Sequence, residues 1–295
     1  MPVQPRPLTV CVDDFGLHDG VNRAVFDLVG RGRVSAVSCL VDGVAWASGA
    51  AALQAVVGQG AERRADVGLH LNFSEALQPA SLTGSAWVAQ PVSTLIVRSL
   101  SRQLDGQVLR AEVERQWARF EAVWGRPPDF VDGHQHVHQL PQIRDALMAV
   151  LDARQASLPA HFWLRDCGTS VLQQWCAGVP VPVAVKAGVI SVLGSAALRR
   201  LARQRGLRTS TGLLGSYPFD TDEAGYLALW RAWLGLVPAR GGLLMCHPSL
   251  GAVAPAVPDP IAAARAVEQS ALQGAALGAL TEAAGVRITR LGVGD

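Results

Sequence analysis

Five short apolar runs in this chain each end in side chains able to do chemistry, and that recurrence constrains the fold more than any other feature. Leu8-Thr9-Val10-Cys11-Val12 stops at Asp13-Asp14-Phe15-Gly16, and Asp66-Val67-Gly68-Leu69 runs into His70-Leu71-Asn72. Phe130-Val131 meets Asp132-Gly133-His134, Phe162-Trp163-Leu164 ends in Arg165-Asp166, and Gly242-Leu243-Leu244-Met245-Cys246 ends in His247-Pro248. Such runs read as buried parallel strands. Between them lie helical stripes, for example Leu109, Val113, Trp117, Phe120 and Trp124, stopped by Gly125 and Pro127-Pro128. A closed parallel α/β barrel gathers its C-terminal strand ends on one face, whereas an open doubly wound sheet binds ligands chiefly at one switch point. Contributions from five strands therefore predict an α/β chain folded as a single distorted (β/α) barrel over residues 1–295.

With runs at 34–41 and 286–288 added, seven strands are convincing, which suits a barrel with fewer than the ~8 regular strands or with a distorted closure. Helices are expected at 44–57, 222–236 and 260–284, with a mostly helical section at 171–206. Residues 73–105 read as irregular, broken by Pro79, Gly84 and Pro91. A loop of that length in a compact domain is usually functional, so it is expected to form a wall of the substrate site.

The 295 residues, 49% of them hydrophobic, suffice to bury a large core. A net charge of +2, from 26 basic and 24 acidic residues without a basic block, argues against a nucleic-acid partner. Five cysteines lack a Cys-x-x-Cys pair and three sit in apolar runs, so reduced thiols and a cytoplasmic location are expected. Residues 1–7 have no apolar signal-peptide core, and the apolar stretch 187–198, bounded by Lys186 and Arg199, is shorter than the ~20 residues of a membrane helix. No membrane span is expected.

The strand-end set is Asp13, Asp14, His70, Asp132, His134, Arg165 and His247. In the stretch from Asp129 to Leu140 three histidines, His134, His136 and His138, alternate, so extended backbone would turn their imidazoles to one side. Asp132 is placed to fix an imidazole tautomer from behind. One carboxylate with two histidines makes a facial site for a divalent metal with positions left open. Only one of the adjacent aspartates is needed there; the other, near a basic residue, is free to take a proton from an activated water, and His247 to protonate a leaving group. That division yields a hydrolase. The plainer alternatives are a turn at Asp13-Asp14 and a satisfied core histidine at His70. Asp14-Phe15-Gly16 also spells the kinase magnesium tripeptide, but no glycine-rich loop or His-Arg-Asp loop precedes it, which rules out a kinase.

The sequence resembles the YdjC-type carbohydrate deacetylases, which include ChbG and the hopanoid-associated HpnK proteins. The resemblance rests on Val-Asp-Asp-Phe-Gly-Leu (12–17), Asn22, Val-Gly-Leu-His-Leu-Asn (67–72), Val-Asp-Gly-His-Gln-His-Val-His (131–138) and Cys-His-Pro (246–248), in the family's order. It implies a TIM-like barrel of polysaccharide-deacetylase type, with Asp14, His70 and His134 as metal ligands, Asp13 as base and His247 as acid. Arg165 stands where the family's Val-Arg element would lie, in a role of holding Asp13. The activity implied is a divalent-metal-dependent N-deacetylase hydrolysing the acetamide of an N-acetylhexosamine-containing oligosaccharide or glycolipid. Magnesium heads the candidate metals, with zinc, manganese and cobalt accommodated by the same donors. A catalytically silent carbohydrate-binding protein and a metal hydrolase of another amide or ester are the alternatives. Every ligand and base candidate is present, which disfavours the silent one. Oligomeric state is open, a homodimer included, as are the natural substrate and the roles of His136 and His138.

Overall fold

A computed structural model describes residues 4–251 and 258–291. Eight strands occur among these residues: β1 (Arg6–Phe15), β2 (Ala36–Cys39), β3 (Asp66–Leu71), β4 (Phe130–Gly133), β5 (Trp163–Leu164), β6 (Arg208–Thr209), β7 (Gly242–Cys246) and β8 (Val286–Ile288). All pair in parallel, in the order β6-β5-β4-β3-β2-β1-β7. The gap between β6 and β7 is bridged at Leu214, whose N–H donates to the Leu243 carbonyl while the Met245 N–H donates to Leu214. This is a distorted (β/α) barrel, as the strand-end pattern predicts. β8 lies off the ring, pairing Arg6–Leu8 along the edge of β1 that β2 takes up from Cys11 onward.

Strand alternation divides the apolar side chains into two sets. Val10, Val12, Val37, Val67, Leu69, Val131, Leu164, Leu244 and Cys246 pack outward in the large core beneath the helices. Cys11, Ala36, Phe130, Trp163, Leu243 and Met245 form a separate inner cluster, with the Phe130 and Trp163 rings stacked 4.0 Å apart. Gly68 makes room for that stack, since a Cβ there would lie 2.5 Å from the Phe130 ring. The next inward residues along β1, β2, β3, β4 and the end of β5 are Asp13, Ser38, His70, Asp132 and Arg165. One period-two step thus carries the barrel interior from a dry plug to a polar layer.

Some expectations need correction. Arg208–Thr209 is an eighth strand, unreadable beforehand because it is two polar residues long. Residues 73–105 contain helices Ala80–Thr83 and Val92–Leu100. The expected last helix is two, Ala262–Gln273 and Ala275–Ala283, broken where Gly274 leaves helical backbone at ψ 155. Helix Gly106–Trp124 is as read, capped by Asp105 and ended by left-handed Gly125. Cys11, Cys39, Cys167 and Cys246 are buried free thiols. Among the described residues no single helix is long and apolar enough to cross a membrane.

Candidate active site

Two adjacent aspartates on a regular strand would face opposite ways, and β1 avoids this with an irregularity. Its register shifts between Val12 and Phe15, and Asp14 takes left-handed backbone at φ 67. A non-glycine residue held there stores strain of order 1 kcal/mol or more, and bulges of this kind re-aim side chains. Both carboxylates therefore reach the polar layer. Behind them Gly16, at φ +95, passes so close to the next turn that a Cβ would sit 2.9 Å from the Leu40 carbonyl. The Asn22 side chain pins the turn, accepting from the Gly16 N–H at 2.8 Å and donating to the Ala45 carbonyl at 2.9 Å.

Asp14, His70 and His134 meet at the top of the polar layer. Asp14 Oδ1 lies 3.0 Å from His134 Nδ1 and 3.4 Å from His70 Nε2, and ligand atoms of the three all fall within 4.8 Å of one another, a group able to hold a metal ion. His70 Nδ1 is 2.6 Å from Asp132 Oδ1, which the Ser38 hydroxyl also approaches at 2.5 Å. With Nδ1 so engaged, Nε2 is the nitrogen turned toward Asp14, an arrangement that raises imidazole basicity and suits a metal ligand. Glu75 adds a carboxylate 3.3 Å from His134 Nε2. Burial would push both imidazoles down, but Asp132 and Asp13 drive His70 up to about 10, and Asp14 with Glu75 drives His134 up to about 9. The cluster thus favours positive charge, and the donor set of carboxylate and imidazole fits a divalent cation.

Asp13 lies deeper. Arg165, fully buried, grips it with Nη1 at 2.6 Å and Nη2 at 2.5 Å and reaches Asp132 Oδ2 at 2.6 Å. Burial works to raise the Asp13 carboxyl, yet Arg165, with His70 and His247, holds it below the usual carboxylate range. Asp14 is likewise depressed against the pull of burial, chiefly by Arg265, whose Nη2 is 2.6 Å from Asp14 Oδ2. Each aspartate therefore has one guanidinium of its own.

His247 stands across the site, its Nε2 3.9 Å from Asp13 Oδ2. Glu268, fully buried, accepts the His247 backbone N–H at 2.5 Å and the Tyr217 hydroxyl at 2.8 Å, and lies 3.7 Å from His247 Nδ1. Arg265 and Glu268 escaped the sequence reading because no strand ends near them. A signal was available: both fall on the stripe Ala264, Arg265, Glu268, Ala271, Leu272 that helix Ala262–Gln273 buries, where charges at helical spacing call for partners.

All seven strand-end residues thus come together, whereas the three alternating histidines do not. β4 ends at Gly133, and Gln135 and His136 adopt left-handed φ of 51 and 60, so the imidazoles diverge. His134 joins Asp14; His136 Nδ1 points to the Cys167 thiol at 3.6 Å; His138 is buried with Nε2 3.0 Å from the Arg165 carbonyl. The expectation of one shared side assumed extended backbone past residue 133, and it fails there. His138, stripped of water, is depressed to about 4.

Above the cluster opens a cavity of ≈ 530 Å³ reaching Asp13, Asp14, His70, His134 and His247. Its walls are largely apolar, with Val92 and Ile96 from helix Val92–Leu100 on one side, so the 73–105 segment does form a wall, and Val189, Ile190 and Leu193 on another.

A family model described as YdjC-like protein matches residues 7–283. A chitooligosaccharide deacetylase of Yersinia pestis (strain Pestoides F) is 34% identical over 165 residues, 52% of this chain and 57% of that protein. The chain thus spans little more than half the length of the curated relatives it matches. In structure, a proposed cellobiose-phosphate cleavage protein of Enterococcus faecalis V583 superposes with a TM-score of 0.68 at 16% identity, covering 98% of both chains. An uncharacterized protein of Agrobacterium tumefaciens C58 gives 0.52 at 12% identity, covering 99% of this chain and 88% of the other. At these identities the two structures speak for the fold alone.

Proposed function

The chain belongs to the YdjC-like family, and from that premise we propose that it is a divalent-metal-dependent carbohydrate N-deacetylase, hydrolysing the acetamide of an N-acetylhexosamine-containing oligosaccharide or glycolipid. The observation that carries the reading is the convergence, at one cavity floor, of the Asp14–His70–His134 group with a second aspartate held separately by Arg165. Asp14, His70 and His134 would hold the ion. When bound, a divalent cation supplies Lewis-acid polarisation of a carbonyl and acidifies water.

The remaining work falls to the chain's own groups. Asp13, kept ionised by Arg165, accepts a proton from the attacking water as its oxygen bonds to the acetyl carbon. His247, oriented through Glu268 from the opposite side, delivers a proton to the amide nitrogen as the C–N bond breaks, so acetate and a free amine leave. Arg165 acts through Asp13 and Asp132 and is a positioning residue. Arg265 does the same for Asp14.

The test is acetate release from a panel of chitooligosaccharides and N-acetylated lipid-linked sugars, before and after chelation. Release that chelator abolishes and magnesium, zinc, manganese or cobalt restores is the expected result. Acetate release indifferent to chelator would remove the metal, and ester or other amide hydrolysis without acetamide cleavage would favour the alternative hydrolase.

A further inference from the structure

Beside the cavity, apolar side chains stand that no described residue covers. Helix Val181–Val192 buries Val183, Ala184 and Ala187 and turns Val181, Val185, Val189 and Val192 outward, each between 47% and 83% exposed. These fall at spacings of four, four and three, one continuous stripe. Helix Val171–Cys176 packs beside it, with Val171 Cγ2 only 2.3 Å from where a Gly188 Cβ would be, and adds Leu172 and Trp175, both more than half exposed. Monomeric proteins seldom show water a contiguous patch of this kind without a use for it. Val189 belongs both to the stripe and to the cavity wall, so patch and site are continuous.

The charge of the same region is one-sided. From Cys167 to Phe219 there is no acidic residue, while Lys186, Arg199, Arg200, Arg203, Arg205 and Arg208 supply six basic ones. The rest of the chain is left with 20 basic and 24 acidic residues, so this segment alone makes the protein net positive. Arg199 and Arg205 pair with Asp166 and Asp152. Arg200 and Arg203 are exposed on helix Ser195–Gln204, which meets the valine helix at a bend of 43°.

We propose that this face docks on the surface of an anionic lipid bilayer, the valine stripe and Trp175 entering the headgroup region, Arg200 and Arg203 meeting lipid phosphates, and the cavity mouth lying at the membrane. Apolar side chains beside a basic helix are the signature of an element that lies in the interface. It does not span: the valine helix has 12 residues, about 18 Å at the helical rise, against ~30 Å of hydrocarbon, and its other face is buried on the barrel. The other wall of the mouth is similar, since helix Val92–Leu100 lines the cavity with Val92 and Ile96 and exposes Val97 and Leu100. Docking needs no turnover, so vesicle binding and deacetylation succeed or fail separately.

The experiment is co-sedimentation of the full chain with phosphatidylcholine vesicles and with phosphatidylcholine vesicles containing phosphatidylglycerol, at low and high salt. Binding to the anionic vesicles, weakened by salt, is expected. Trp175→Ser/Val192→Ser should lower it at least about tenfold, since each side chain loses its burial. Arg200→Ser/Arg203→Ser should lower it about 25-fold, roughly fivefold for each cation removed from the lipid surface. All four positions are exposed, so the variants should melt with the parent. No vesicle binding by the parent chain, binding unchanged in both variants, or equal binding to neutral and anionic vesicles would each overturn the proposal. So would a dimer that Trp175→Ser/Val192→Ser dissociates in the absence of lipid affinity, which would name a second copy as the occupant.

Discussion

The two ends of this barrel carry clusters that look alike on paper. At the upper end Asp13, Asp14 and Asp132 meet His70 and His134; at the lower end Asp66, at the start of β3, and Asp129, just before β4, meet His161. Both contain carboxylates and imidazole within 4.8 Å of one another. The partners differ. Asp129 takes Arg63, Arg126 Nη1 at 2.8 Å, His161 at 2.7 Å and the Val67 N–H at 2.7 Å, while Asp66 takes Arg290 at 2.7 Å and the Trp163 indole. Three guanidiniums thus close on two carboxylates, and His161, depressed by burial and by the surrounding arginines, adds no appetite for a cation. Above, two guanidiniums serve three carboxylates, the imidazoles are driven up, and a cavity opens. Acid and histidine lie close together at both ends; the upper cluster differs in carrying carboxylates that guanidiniums do not match one for one and in facing a cavity.

The sharpest way to break that contrast is to remove one carboxylate oxygen's charge at each end. Asp13→Asn should keep its shape, with Arg165 still paired to Asp132, and cost turnover about 10²–10⁴-fold at nearly unchanged metal content. Asp129→Asn should leave kcat per folded molecule untouched and lower stability by about 3–5 kcal/mol, because buried guanidinium charge loses its partner. Kinetics, metal analysis and denaturant melts on both variants check this; a turnover loss in Asp129→Asn, or loss of metal in Asp13→Asn, would erase the distinction. Next in size, His247→Ala should slow amide hydrolysis about 10²-fold and spare an activated ester, whose leaving group needs no proton. Equal losses on the two substrates would take the acid role from His247.

How much of this was legible beforehand follows from where each residue sits. Asp13, His70, Asp132, His134, Arg165 and His247 mark the ends of apolar runs, a pattern of sequence that period two and parallel pairing convert directly into one barrel face; Asp14 ends a run too but joins them only through the irregularity in β1. Arg265 and Glu268 reach the same face from a helix some 250 residues after Asp14, and only tertiary packing brings them there. Ser38 was hidden inside an apolar run. The histidine stretch failed differently: its alternation suggested a strand, but left-handed backbone at Gln135 and His136 is a local choice that residue types without glycine do not announce.

That left-handed turn has a consequence for stability. His138 is carried into a dry position and depressed to about 4 against an ordinary 6.5. The unfolded chain therefore binds a proton that the folded one refuses, so the contribution is complete above about pH 6.5 and is lost as pH falls toward about 4. Between about pH 7 and about pH 5 the loss should be about 2 kcal/mol. His138→Asn, which cannot titrate, should remove that share of the pH dependence from the free energy of denaturation over that window, and parallel curves for the two proteins would show that His138 titrates normally.

The smallest expected effect tests the lower cluster at its edge. Arg126 is 39% exposed and lies 5.6 Å over the Trp124 ring, so its pairing with Asp129 is screened by water. Arg126→Ala should cost about 1 kcal/mol or less, since Asp129 keeps Arg63, His161 and the Val67 N–H. Turnover should not change. More telling is what the variant should not gain: Arg63 and Arg290 still match Asp129 and Asp66 charge for charge, so no second metal ion should bind. Calorimetric titration of chelator-treated Arg126→Ala with zinc checks this. A stoichiometry above that of the parent chain would mean that a single guanidinium separates a structural cluster from a metal site, and that the balance of charge between the barrel's two ends is finer than the geometry implies.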